Sequence, residues 1–127
     1  MSPGLEYGIM THMKLVSWNV NGIRAVHNKG LFTPIVDRLQ PDVICLQETK
    51  AEQHQSPVDL PDYHEYWNSA VKKGYSGTAI FTREKPIAVI NDFPEHIVKK
   101  YKLTDQYGDP NKEGRVIEIE LKKCFVV

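Results

Sequence analysis

Net charge is what this sequence most plainly lacks: sixteen basic and sixteen acidic side chains cancel over 127 residues. No overall field draws the chain to a polyanion, so any such attraction has to come from local clusters. Cysteine is scarce as well, and Cys45 and Cys124 form neither a disulfide framework nor the paired spacing of a zinc site. Both are expected to be reduced core thiols in a cytosolic-type compartment. No apolar run approaches the roughly 18 residues that a membrane span needs, so a soluble chain with no membrane partner is expected. Internal repeats, low-complexity tracts and domain linkers are missing too. The histidines His12, His27, His54, His64 and His96 show no ligand spacing and are read as non-catalytic.

What is present is an ordinary globular balance, 41% hydrophobic and 25% charged. A chain of this length can bury on the order of two thirds of its unfolded surface. Residues 1–12 have no period and no signal-peptide pattern, and Thr11-His12-Met13 looks like a cloning junction. They are expected to be a cloning-derived or disordered leader, with the folded part spanning 13–127. Residues 14–20 carry strand formers on both faces, which predicts a largely buried strand that breaks at Asn21-Gly22. From Leu31 the apolar positions Phe32, Ile35, Val36 and Leu39 recur at helical spacing, with Thr33 as candidate N-cap, Pro34 in the first turn and a stop before Pro41. Residues 42–48 read as a second buried strand. Strand, helix, strand at this spacing predicts a right-handed βαβ unit whose parallel strands end on one rim. Asn19 and Glu48 stand at those ends, where open α/β sheets place their ligands.

Further along, residues 64–68 and 77–82 predict a hairpin around the basic turn 71–76, and 86–90 a further strand. Residues 91–109 suggest no clear element. In 116–121, Ile117, Ile119 and Leu121 alternate with Glu118 and Glu120, a strand wet on one side. Residues 124–127 read as the opening of another strand. An ionised Glu48 at the tip of a buried strand needs a partner, because an unpaired buried charge costs several kcal/mol. A divalent cation and an ion pair with Lys50 both answer that need.

Four segments, Trp18-Asn19-Val20-Asn21-Gly22-Ile23-Arg24-Ala25, Leu46-Gln47-Glu48-Thr49-Lys50, Gly74-Tyr75-Ser76-Gly77 and Glu113-Gly114-Arg115-Val116, resemble successive signatures of one family. It is the exonuclease III class of apurinic/apyrimidinic endonucleases, within the endonuclease/exonuclease/phosphatase superfamily. The resemblance runs from Met13 to the end of the chain. It implies a DNase I-like, four-layer α/β sandwich in which two half-domains pack their sheets face to face, with the active site along one edge. This chain is then the N-terminal half, with a mixed sheet that starts on the βαβ unit. The segments that continue the family pattern, Tyr-x-Pro-Asn, Gly-Asp-x-Asn and Ser-Asp-His, are read as missing. An isolated half is expected to be inactive, and to self-associate or pair with a complementing C-terminal half.

By the same resemblance Glu48 and Asn19 are the catalytic and metal-site residues, the metal being Mg²⁺ or, in its place, Mn²⁺. Magnesium commonly binds through one or two carboxylates, so Glu48 is an adequate anchor. Asn19 could equally cap the turn that follows it. Asn21, where many relatives carry aspartate, is read as a contact to the DNA backbone. Arg24, Lys50 and Arg115 either face phosphates or are solvated charges. Tyr75, beside Lys72 and Lys73, either packs on sugars in a minor groove or is a half-buried hairpin aromatic. The implied activity is hydrolysis of the phosphodiester 5′ to an abasic site in double-stranded DNA, with 3′–5′ exonuclease and 3′-phosphatase action. The implied setting is the cytoplasm, at the nucleoid in a bacterium. A sister hydrolase acting on inositol phosphates, sphingolipids or RNA tails, and a non-catalytic half that is only structural or only binds DNA or a partner, are the alternatives.

Overall fold

The computed structural model describes residues 12–127. The expected leader lies outside them except for His12, which is exposed. Strand β1 (Leu15–Asn19) leads through helices α1 (Ile23–Asn28) and α2 (Phe32–Leu39) into β2 (Val43–Gln47). The two strands pair in parallel, Leu15 opposite Val43 and Asn19 opposite Gln47. The predicted strand, helix, strand unit is thus present, with two helices in its crossover. α1 escapes a periodicity reading because it buries only Ile23 and Val26. Thr33 is not the cap of α2: Leu31 holds that place without a side-chain bond. The helix stops where Gln40 turns left-handed ahead of Pro41.

β3 (His64–Asn68) and β4 (Thr78–Thr82) form the predicted hairpin, and β4 also runs antiparallel to β2. The result is a mixed sheet in the order β1-β2-β4-β3. A second sheet, antiparallel, contains β5 (Ala88–Asn91), β6 (Ile117–Glu120) and β7 (Phe125–Val126) in that order. Helix α3 (Glu95–Tyr101) lies between β5 and β6, in the stretch where the sequence suggests no element. Among the described residues no helix is long and apolar enough to cross a membrane.

The alternation along β2 divides the core in two. Ile44 and Leu46 face one way, with Ala79 and Phe81 of β4, against Ile23, Val26, Phe32 and Val36 of the helices. Trp18 stacks on Phe32 at 5.8 Å between ring centres, and Trp67 meets Phe81 edge-on at 6.1 Å. Phe32 and Phe81 are fully buried, each worth roughly 1.5–3 kcal/mol of transfer free energy. Val43 and Ile80 face the other way, against Ile117, Ile119, Leu121 and Val126 of the second sheet. The molecule is therefore α/β in three layers: helices, mixed sheet, antiparallel sheet. The α/β class and a mixed sheet that starts on the βαβ unit are as expected.

Two burial expectations also change. β1 is buried on one face only: Val16 and Trp18 pack inward while Leu15, Ser17 and Asn19 are exposed. Cys45 and Cys124 are free thiols, half-buried at the margin of the inter-sheet core. Burial pushes the Cys45 thiol above its ordinary pKa. β6 follows its reading, with Ile117 and Ile119 buried and both glutamates half-exposed.

Candidate functional site

One rim of the mixed sheet collects the C-terminal ends of β1, β2 and β3 and the start of β4. Glu48 is on this rim but is not the tip of a buried strand. β2 ends one residue earlier, and the Glu48 side chain is 46% exposed, so desolvation does not demand a metal. Backbone conformation aims it instead. Glu48 and Lys50 both take a left-handed φ, 52° and 51°, with Thr49 fully buried between them. Such conformations cost about 1–3 kcal/mol for each non-glycine residue and persist only where the surroundings hold them.

Two neighbouring loops do so. Gly22 and Ile23 donate their backbone N–H groups to the carbonyls of Glu48 and Thr49, at 2.7 and 3.0 Å. From the other side, Thr49 and Lys50 donate to the carbonyls of Gly77 and Ser76, at 3.1 and 2.8 Å. Gly77 is held to glycine twice over: its φ is +89°, and a Cβ would come within 2.5 Å of the Thr49 hydroxyl. With Thr49 turned in, Glu48 and Lys50 both turn out.

The first group of predicted residues meets here. Asn19 Nδ2 donates to Glu48 Oε1 at 3.0 Å, and Asn19 Oδ1 accepts from the Asn21 N–H at 3.0 Å. Asn19 therefore holds the carboxylate and caps the turn at once. Lys50 Nζ lies 3.7 Å from Glu48 Oε2 and donates to Asn21 Oδ1. Arg24 Nη2 donates to the Lys50 carbonyl at 3.1 Å, so part of its guanidinium is spent on the corner itself.

Tyr75 and Arg115 form a second group, around a carboxylate to which the sequence reading gave no role. Glu113 Oε2 accepts from Arg115 Nη2 at 2.6 Å, from Arg115 Nε at 3.1 Å and from the Tyr75 hydroxyl at 3.1 Å. Lys72 Nζ sits 5.2 Å from the centre of the Tyr75 ring. The Arg115 and Tyr75 hydrogen bonds hold the Glu113 carboxyl below its ordinary pKa, and the same contact raises that of Arg115. The spacing Glu-Gly-Arg was the available signal, since a tight glycine between opposite charges brings both to one side. The two groups share the rim through the 74–77 loop, which carries Tyr75 and bonds to the Glu48 corner.

Asn68 was missed as well. It is buried, and its Nδ2 donates to Asp92 Oδ1 at 2.7 Å and to the Val116 carbonyl at 2.8 Å, joining the two sheets beneath the rim. One string read as missing does occur, Gly108-Asp109-Pro110-Asn111. It forms a 3-10 turn in which Asp109 Oδ1 accepts from the Asn111 N–H at 2.9 Å and the Asn111 amide bridges both backbone groups of Phe93. Both side chains are spent on the loop.

With this geometry, comparison with known proteins settles the class. The family described as Endonuclease/Exonuclease/phosphatase matches residues 16–118, and the chain belongs to that family. It is 46% identical over 115 residues to an exodeoxyribonuclease of Bacillus subtilis (strain 168), covering 91% of this chain and 41% of that protein. It is 39% identical over 126 residues to the DNA repair nuclease APEX1 of Danio rerio, covering 94% and 36%. Among solved structures, the 3′ phosphatase NExo from Neisseria bound to product DNA hairpin superposes with a TM-score of 0.66 at 26% identity, covering 90% of this chain and 39% of that one. An AP endonuclease from Archaeoglobus fulgidus gives 0.57 at 25% identity, covering 87% and 38%. The chain thus spans about two fifths of the length of the proteins it matches.

Proposed function

We propose that this chain carries the metal-anchoring part of a DNA repair nuclease that hydrolyses the phosphodiester 5′ to abasic sites, with 3′–5′ exonuclease and 3′-phosphatase action. The observation that carries the reading is the Asn19–Glu48 hydrogen bond at the ends of two parallel strands. It delivers a braced, half-exposed carboxylate to a rim that also carries Lys50, Lys72, Tyr75 and Arg115.

The donor set suits a hard cation. Glu48 offers carboxylate oxygens, one steadied by Asn19 and the other facing only an ammonium 3.7 Å away, and Mg²⁺ needs no more than one or two protein carboxylates. Among the described residues no three of His, Cys, Asp and Glu come together, and the anchor in this reading is Glu48 with Asn19 beside it. Bound there, Mg²⁺, or Mn²⁺ in its place, supplies positive charge to the phosphate oxygens and to the departing 3′ oxygen. Asn19 keeps the carboxylate pointed outward, Lys50 balances its charge, and Arg115 with Lys72 positions the duplex by its backbone without reading sequence.

Titration of Mn²⁺ into the chain, followed by amide line broadening, tests the anchor. Signals of residues 19–22 and 48–50 are expected to broaden first, and Glu48→Gln to abolish the effect. Broadening elsewhere, or broadening indifferent to that substitution, sinks the metal role. The chain by itself is expected not to cut an abasic duplex in Mg²⁺, and robust cutting would overturn that part of the reading.

A second observation favours association, with a second copy of the chain or with a complementing half. Leu15, Phe125 and Val127 are 46%, 63% and 78% exposed, near a groove of about 430 Å³ in which Met13 and Cys124 stand among charged residues such as Asp42, Arg83 and Lys123. Exposed apolar surface of this kind is covered by association. Light scattering that shows a stable monomer would contradict it.

A further inference from the structure

Three hydrogen-bond donors converge on one place on the rim, with Lys72 over the Tyr75 ring beside them, and the chain's own carboxylate fills it. Glu113 Oε2 takes both donors of one Arg115 edge and the Tyr75 hydroxyl, at 2.6, 3.1 and 3.1 Å. Arg115 Nη2 also reaches the Tyr75 oxygen at 3.3 Å, so the two donor side chains steady each other. This is the constellation that recognises a phosphate oxygen: a planar arginine edge, a hydroxyl and a nearby ammonium.

The backbone beneath it is rigid while the contact itself is loose. Gly114 has φ +59°, and a Cβ there would lie 2.5 Å from the Asn68 carbonyl oxygen and 2.6 Å from the Ala70 nitrogen. That packing fixes where Glu113 and Arg115 leave the chain. Their ion pair is open to solvent, the Glu113 side chain 24% exposed and the Arg115 side chain 55%, so an arriving anion can reach the arginine edge. The donors are thus set in place, and their present acceptor is easily exchanged.

We propose that Glu113 is an intramolecular stand-in for a nucleic-acid phosphate. Its carboxylate occupies the anion site of Tyr75, Arg115 and Lys72 in the free chain and yields it to the backbone of an arriving duplex. The site stays ordered but electrically quiet until a polyanion with many charges competes for it, which suppresses binding to isolated small anions. The proposal rests on the DNA reading above and assigns its regulation to a residue outside the metal group.

The test uses the 127-residue chain, a fluorescent duplex with a stable abasic analogue, and the variants Glu113→Gln, Arg115→Ala and their combination. Glu113→Gln is expected to bind the duplex about two- to fivefold more tightly, with a salt dependence steeper by about one charge. Arg115→Ala should bind more weakly, and the combined variant no better than Arg115→Ala. Equal or weaker binding by Glu113→Gln overturns the proposal, and so does a gain of the same size in the Arg115→Ala background, which is what loss of a negative charge alone would give. A second arm needs no DNA: inorganic phosphate should shift the Arg115 Nε–H resonance at lower concentration in Glu113→Gln than in the parent chain. Equal responses sink the stand-in whatever the duplex does. If phosphate behaves as expected while no protein binds the duplex in a salt-dependent way, the anion site stands and the DNA reading falls.

Discussion

Glu48 and Glu113 stand on the same rim, yet the protein treats their carboxylates in opposite ways. Glu48 gives one oxygen to a single amide and leaves the other facing a lysine at 3.7 Å. Glu113 places one oxygen under three donors from two residues. The supports differ too: a strained left-handed corner clasped from both sides carries the first, and a glycine wedged against the Asn68–Ala70 backbone carries the second. A carboxylate left short of partners can accept an incoming cation, whereas one saturated with donors can only be displaced. Identical side chains acquire different chemistry from what surrounds them.

The comparison breaks most severely at the wedge. Gly114→Ala should cost about 2–4 kcal/mol, since a backbone rather than a flexible side chain blocks the new methyl and φ is left-handed; a urea denaturation midpoint reads it. Gly77→Ala meets a side-chain hydroxyl instead, so about 1–3 kcal/mol is expected by the same measurement, together with disturbed amide signals at residues 48–50. Asn19→Ala should leave the fold nearly intact and lower divalent-cation affinity about tenfold, as loss of a group that orients a ligand does; calorimetric titration with Mn²⁺ decides it. The smallest effect is pH-dependent. Arg115 and Tyr75 depress the folded-state pKa of Glu113 below its ordinary 4.5. Its stabilising contribution is therefore complete above that value and lost as pH falls through the lower, folded-state pKa. Urea midpoints of the parent chain and Glu113→Gln should differ slightly at neutral pH and converge in acid.

Much of the frame was legible because it depends on short-range pattern. Alternation, turn signals and Pro41 located β1, β2, the β3–β4 hairpin, α2 and β6, and the parallel start follows from their order. α1 and α3 were not legible, since six or seven residues with three apolar positions each carry no measurable period. The division into two sheets was hidden for another reason: alternation shows that Ile117 and Ile119 share a face but not which sheet receives it. At the rim, the meeting of Asn19 with Glu48 could be read from parallel strand ends. The left-handed corner could not, because no glycine marks Glu48 or Lys50, and its cause lies in loops 26 residues or more away along the chain.

Asn68 has a mechanical consequence. Its buried amide rivets the mixed sheet to the antiparallel one beneath the rim, while at the far end the corresponding link, the Lys122 N–H to Glu84, is exposed to solvent and borders the open groove. Loss of the Asn68 amide should therefore loosen the sheets at the rim first, since the far end keeps the buried packing of Val43, Leu121 and Val126. Glu48 and Glu113 stand beside Asn68, at the end of the molecule where buried hydrogen bonds tie the sheets together.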